Sequence, residues 1–105
     1  MCDANDLVER VREALRGVID PEIGFNIVDI GLVYSIEMEE GGIAKVFMTT
    51  TTRGCPATNY LRDGAGEAAQ SVDGVHGADV RLTYDPPWTP DMMSSMAKEY
   101  LGVTR

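Results

Sequence analysis

Two alternating runs separated by Glu40-Gly41-Gly42 constrain this chain more than any other feature. Leu32, Tyr34, Ile36 and Met38 share one face of the first run, from Gly31 to Glu39. Val33, Ser35, Glu37 and Glu39 share the other, which is the period of a strand. The return run goes from Ile43 to about Thr50, with Ala44, Val46 and Met48 facing inward. The intervening glycines make the pair an antiparallel hairpin.

The flanking segments read as helices and one more strand. Leu7, Val8, Val11 and Leu15 recur at three- and four-residue spacing over Asp6 to Arg16, a helix that Gly17 stops. Glu9–Arg12 and Glu13–Arg16 fall at i,i+3 on its wet face. Asp20-Pro21-Glu22-Ile23-Gly24-Phe25-Asn26 reads as a loop, since proline turns Asp20 away from the helical region. A second helix starts at Cys55-Pro56, proline suiting the first helical position. Ala57, Tyr60, Leu61, Ala65, Ala68, Ala69 and Val72 trace its inner face, and Gly64 on that stripe implies close packing against the sheet. Ala78 to Tyr84 is a third strand, with Val80, Leu82 and Tyr84 on one face. Asp85-Pro86-Pro87-Trp88 is a rigid loop, and Thr89 with Pro90 opens a last helix whose apolar side is Met92, Met93, Met96, Tyr100 and Leu101. Gly102 ends it.

The order is α-β-β-α-β-α. The second helix is a crossover, which makes the second and third strands candidates for parallel packing. The expected fold is α/β (α+β), a small three-stranded mixed sheet covered by helices on one face. The 105 residues suffice for a single domain spanning 1–105. A sheet this small leaves exposed edges, and a homodimer is one remedy.

Composition excludes several classes. With 44% hydrophobic and 25% charged residues, the chain has the make-up of a globular domain and not of a disordered tail. No apolar run reaches the roughly 18–20 residues that span a bilayer. The acidic start Met1-Cys2-Asp3-Ala4-Asn5-Asp6 is no signal peptide. A net charge of −8 argues against nucleic acid and anionic membrane as partners. Two cysteines, Cys2 and Cys55, are too few for a disulfide framework, so a reducing, cytoplasmic setting is expected.

Cys55 is the first candidate for chemistry. At the N-cap of the second helix it would meet the positive end of the helix dipole, which favours a thiolate. The residue fits equally a small buried side chain at a strand-to-helix turn. Asp20, Glu22 and Asp29 are a second group, which folding could bring near Cys55; capping and turn chemistry explains them as well. Trp88 is either a lid on the core or a docking surface, with the lid favoured. Met92, Met93 and Met96 read as core, and His76, the only histidine, as a surface residue. One histidine and one well-placed cysteine cannot build a four-ligand zinc site or hold an ordinary iron–sulfur cluster alone.

Four ordered segments carry a closer resemblance. Asp20 to Tyr34, DPEIGFNIVDIGLVY, resembles the signature of the metal–sulfur cluster biosynthetic family. That family includes SufT-like and PaaD-like proteins and the eukaryotic cytosolic iron–sulfur targeting factors. Met48 to Pro56, MTTTTRGCP, is similar to the family's Met-Thr-x-Thr-x-x-Gly-Cys-Pro segment. Asp73-Gly74-Val75 matches its turn before the third strand, and Pro87-Trp88-Thr89 with the Met-rich helix its C-terminal element. The resemblance implies a non-enzymatic assembly or targeting factor that helps mature client metalloproteins. It makes Cys55 a reactive thiol and a transient metal ligand, with Asp20, Glu22, Asp29, Thr49, Thr51 and Thr52 as a supporting acidic and hydroxyl cluster. It implies no permanently bound cofactor, a transient iron–sulfur cluster or iron as cargo, and scaffold or carrier proteins and client apoproteins as partners. Two other classes compete: a thiol enzyme with Cys55 as nucleophile, and a pure adapter docking through Trp88. Arg53 and Thr50 depart from the family pattern, where proline and an aliphatic residue are usual. The chain ends shortly after Leu101-Gly102, where PaaD-like members carry a cysteine-rich tail, which favours the SufT-like branch.

Overall fold

The first apolar stripe winds into α1 (Ala4–Leu15) and buries Val11 and Leu15 completely. Its wet face carries the two expected ion pairs, Glu9–Arg12 at 3.7 Å and Glu13–Arg16 at 2.6 Å, and a third, Asp6–Arg10, at 3.3 Å. Exposed pairs of this kind add a few tenths of a kcal/mol each, so the buried stripe is what holds the helix in place. The structure, a computed structural model, describes residues 4–50 and 57–102.

The segment after α1 is more regular than a loop. β1 (Ile19–Asp20) pairs antiparallel with β2 (Phe25–Asn26), Ile19 opposite Asn26 and Asp20 opposite Phe25. Two residues per strand carry no alternation, so periodicity could not reveal this ladder. Its turn is held by Asp20, whose carbonyl accepts from the Gly24 N–H at 2.6 Å.

β3 (Val33–Glu39) and β4 (Ile43–Met48) form the hairpin, with Gly41 and Gly42 at φ 83° and 78°. Those positive values are why the turn needs glycine. The first strand starts at Val33 and not Gly31, and its register shifts between Val33 and Ser35, leaving Tyr34 as the extra residue of a bulge. β4 then pairs in parallel with β5 (Gly77–Leu82), from Ile43 opposite Gly77 to Met48 opposite Leu82. The sheet order is β3-β4-β5, the mixed three-stranded arrangement expected. Ala44, Val46, Met48, Leu32 and Ile36 pack beneath the helices into one core.

α2 (Thr58–Gln70) is the crossover. Ala57 holds its cap position, two residues beyond the one expected for Cys55, which lies outside the described residues with Thr51, Thr52 and Arg53. Leu61, Ala65 and Ala69 are buried as expected, but Tyr60 is 61% exposed and belongs to the outer face. Gly64 does not touch the sheet. A Cβ there would meet the Val18 side chain at 3.4 Å, whereas one at Gly66 would face Val80 of β5 at 3.8 Å.

The C-terminal helix is broken in two. Pro90–Met92 is a single 3-10 turn, Met93 is extended (φ −69°, ψ 148°), and α3 (Ser95–Leu101) follows. Thr89 makes no side-chain cap; Ser94 does, its Oγ accepting from the Ala97 N–H at 3.2 Å. The break resets the helical phase. Met93, Ala97 and Leu101 turn inward, and Met96 and Tyr100 are exposed. Gly102, at φ 75°, ends the helix as expected. Among the described residues no helix is long and apolar enough to cross a membrane.

Candidate functional site

The site is built where the two parallel strands end. Past Met48 the chain runs through Thr49 and Thr50, both buried, and past Leu82 through Thr83 to Tyr84. The two ends are tied by the Thr83 N–H, which donates to the Met48 carbonyl at 2.9 Å. In open α/β sheets the space beyond the carboxyl ends of parallel strands is where ligands gather. The segment carrying Thr51, Thr52 and Cys55 leaves from this end, between Thr50 and Ala57.

The acidic segment is joined to the same end by a relay of backbone hydrogen bonds. Ile27 N–H donates to the Val18 carbonyl at 3.0 Å, Leu32 N–H to Ile27 at 2.9 Å, and Thr49 N–H to Leu32 at 2.8 Å. Asp20 and Asp29 are therefore fixed with respect to the start of the thiol-bearing segment.

Both carboxylates are engaged. Asp20 is 1% exposed, and its Oδ1 accepts from the N–H groups of Glu22 (2.8 Å) and Ile23 (3.3 Å). This is an Asx turn, the local chemistry that short acidic side chains offer a backbone. Asp29 is also buried; its Oδ2 accepts from the Asn26 side-chain amide at 2.8 Å and lies 3.7 Å from the Arg16 guanidinium. Asn26 in turn accepts the N–H groups of Val28 (3.1 Å) and Asp29 (2.9 Å) through its Oδ1. Glu22 is at the surface of the same turn.

The hydroxyls near the strand ends have partners too. Thr49 Oγ1 donates to the Thr50 carbonyl at 3.3 Å, and the Thr50 and Tyr84 hydroxyls are 2.9 Å apart. The Thr50 hydroxyl, buried at the strand end, thus has a side-chain partner. Tyr34, the bulged residue, donates its hydroxyl to the Pro86 carbonyl at 2.7 Å. Burial raises the Tyr34 pKa above the ordinary tyrosine value, against a hydrogen bond with Thr49 that lowers it. Thr58 Oγ1, in the first turn of α2, is buried with no hydrogen-bond partner among the described residues.

Trp88 is half-buried against the core and donates its indole N–H to the Ile30 carbonyl at 2.7 Å. Its bond to Ile30 ties the C-terminal loop to the acidic segment. His76 is exposed, beside Gly42. Asn26, Tyr34, Tyr84 and Thr58 were not singled out from the sequence as site residues. Only Asn26 had a usable signal there, an Asx residue three positions before Asp29. Among the described residues no group of three or more His, Cys, Asp or Glu side chains is placed to hold a metal ion. What these residues accomplish is shape: they hold an acidic turn, a hydroxyl-lined strand end and an indole lid in fixed relation.

Residues 8–81 match the family model described as iron-sulfur cluster assembly protein, and the chain belongs to that family. It is 40% identical over 97 residues to the Fe-S protein maturation auxiliary factor YitW of Bacillus subtilis, covering 92% of this chain and 95% of the relative. It is 40% identical over 87 residues to the Fe-S protein maturation auxiliary factor SufT of Staphylococcus aureus, covering 83% of this chain and 99% of the relative. The crystal structure of a domain of unknown function from Bacillus anthracis superposes with a TM-score of 0.90 at 33% identity, covering 96% of each chain. The SufT-like and PaaD-like resemblance and the α+β fold class therefore stand.

Proposed function

We propose that this protein is a maturation factor for iron–sulfur proteins that works through the Cys55 thiol. The observation that carries the reading is the backbone relay from Val18 through Ile27 and Leu32 to Thr49. It supports a site in which the acidic turn and the thiol-bearing segment share one end of the sheet. Cys55 precedes the described start of α2 closely in sequence, and the positive end of a helix dipole favours a thiolate over a thiol. The two Fe-S maturation factors among its relatives support the same reading.

In this reading the metal or cluster is cargo. One thiolate supplies one soft ligand, and the remaining positions fall to a partner, a second copy or a small thiol, which keeps binding exchangeable. Asp20 and Asp29 shape the turn, Glu22 lies on its surface, and Thr49, Thr51 and Thr52 are the supporting hydroxyl residues of this reading. The partners are scaffold or carrier proteins and client apoproteins, met in a reducing cytoplasm where the thiol stays free. The protein acts as a factor and not as an enzyme, with no resident cofactor.

The test compares wild type with Cys55→Ser in anaerobic reconstitution with iron and sulfide and in co-purification with client apoproteins. Loss of bound iron and sulfide or of client complexes is expected. Equal retention in both assays would overturn the thiol mechanism.

A further inference from the structure

β5 is an edge strand: its inner side pairs with β4, and among the described residues no strand pairs with its outer side. Alternate residues of a strand in a parallel pair turn N–H and C=O outward, so this edge offers unused backbone hydrogen-bonding capacity. A groove of about 560 Å³ runs beside it, with Gly66, Ala78 and Val80 among its lining. Arg62, Asp63, Glu67 and Gln70 of α2 rim the same groove, while along the strand itself Ala78 and Val80 are compact.

We propose that β5 pairs antiparallel with β5 of a second copy of this chain, about a twofold axis through Val80. An axis perpendicular to the sheet keeps both helical layers on the same side. It also makes one six-stranded sheet of the two three-stranded ones. Through Val80, the axis sets Ala78 opposite Leu82 of the second copy and Asp79 opposite Arg81 of the second copy. Both side chains reach solvent, 38% and 58% exposed, and their ion pair within the strand at 3.1 Å would be re-partnered across the axis. The register is selected by charge. Moving the axis to Asp79 sets carboxylate against carboxylate, and moving it to Arg81 sets guanidinium against guanidinium.

The other edge of the sheet lacks this self-complementarity. β3 carries Glu37 and Glu39 and no base, and the bulge between Val33 and Ser35 interrupts its ladder. Bulges and like charges are devices that keep an edge unpaired.

Sedimentation equilibrium of the wild type should show a dimer. Asp79→Arg or Arg81→Asp alone opposes like charges twice across the axis and should weaken it about tenfold or more. The double reversal, Asp79→Arg with Arg81→Asp, should restore it. A monomeric wild type at every accessible concentration overturns the proposal, as does a dimer that survives both single reversals. Hydrogen exchange on the unmodified chain gives an independent readout. Protection of the outward β5 amides should rise with protein concentration, and protection that does not change overturns the proposal without any variant having to fold.

Discussion

The indole N–H of Trp88 donates to the backbone carbonyl of Ile30 at 2.7 Å, across 58 residues of sequence. The bond joins the proline-rich loop after β5 to the segment that carries the acidic turn. The ring is half-buried against the core, so it seals the molecule and fixes the turn at once.

Replacing Trp88 separates these roles. Trp88→Phe keeps an aromatic lid and deletes the hydrogen bond, and should cost about 1 kcal/mol in chemical denaturation. Trp88→Ala removes the lid as well and should cost up to about 3 kcal/mol, short of a fully buried tryptophan because part of the ring is exposed. A Trp88→Ala protein as stable as wild type would show that the ring holds nothing together and would return it to the docking role.

Asp20 permits a cleaner division between structure and chemistry. Its Oδ1 satisfies two backbone N–H groups in a buried setting. Asp20→Ala should cost about 1–3 kcal/mol, because those donors lose their partner. Asp20→Asn keeps the accepting oxygen and should recover most of that stability. If Asn restores stability but not client maturation, the carboxylate charge serves the cargo; if it restores both, Asp20 is a turn residue only.

The contrast between β4 and the segment before β3 explains what could be read in advance. Ala44, Val46 and Met48 alternate over enough residues to declare a strand, and the glycines after Glu40 declare its turn. The β1–β2 ladder is two residues long and depends on Asx turns, which leave no period. Tyr60 and Tyr100 satisfied an apolar spacing yet face solvent. Spacing locates a stripe, but where neighbouring segments pack decides how wide the buried stripe is. The C-terminal spacing runs out of phase with the structure because the break at Met93 is backbone geometry with no composition of its own. The candidate site was legible as an acidic turn and a strand end, since those residues sit at element boundaries. That the Asp20 carboxylate is spent on backbone donors, and Asp29 on Asn26 and Arg16, follows from tertiary packing that leaves no mark on the sequence.

Gly31 is held by a close approach as well as by its backbone. At φ 84°, a Cβ there would lie 2.5 Å from the Met92 carbonyl oxygen and 2.8 Å from its Cβ. Gly24 has nearly the same φ, 81°, and nothing within 4 Å. Gly24→Ala should therefore cost only the conformational penalty, about 1–2 kcal/mol. Gly31→Ala should cost more, by at least about 1 kcal/mol, because backbone has to move. Equal losses in thermal unfolding would mean that the 3-10 turn yields freely.

Ser94 and Thr89 test the broken helix. Ser94 caps α3 through its side chain, so Ser94→Ala should lose about 1 kcal/mol. Thr89 makes no such bond, and Thr89→Ala should stay within about 0.5 kcal/mol of wild type. The reverse ranking would mean one continuous helix capped at Thr89.

Tyr34 predicts how stability responds to alkali. Burial raises the pKa of its phenol above the ordinary value of 10.0, so folding favours the protonated form. The unfolded chain gives up this proton at the ordinary value and the folded chain only above it. Tyr34 thus contributes in full below pH 10.0, and its contribution is lost as pH rises through the folded-state value. Tyr34→Phe should cost about 1 kcal/mol at neutral pH, through the lost bond to Pro86, and should flatten the alkaline decline. In a phenolate absorbance titration the variant should lack a late-titrating tyrosine that the wild type shows. If both proteins lose stability equally with rising pH, the Tyr34 hydroxyl is not shielded by the bulge at β3.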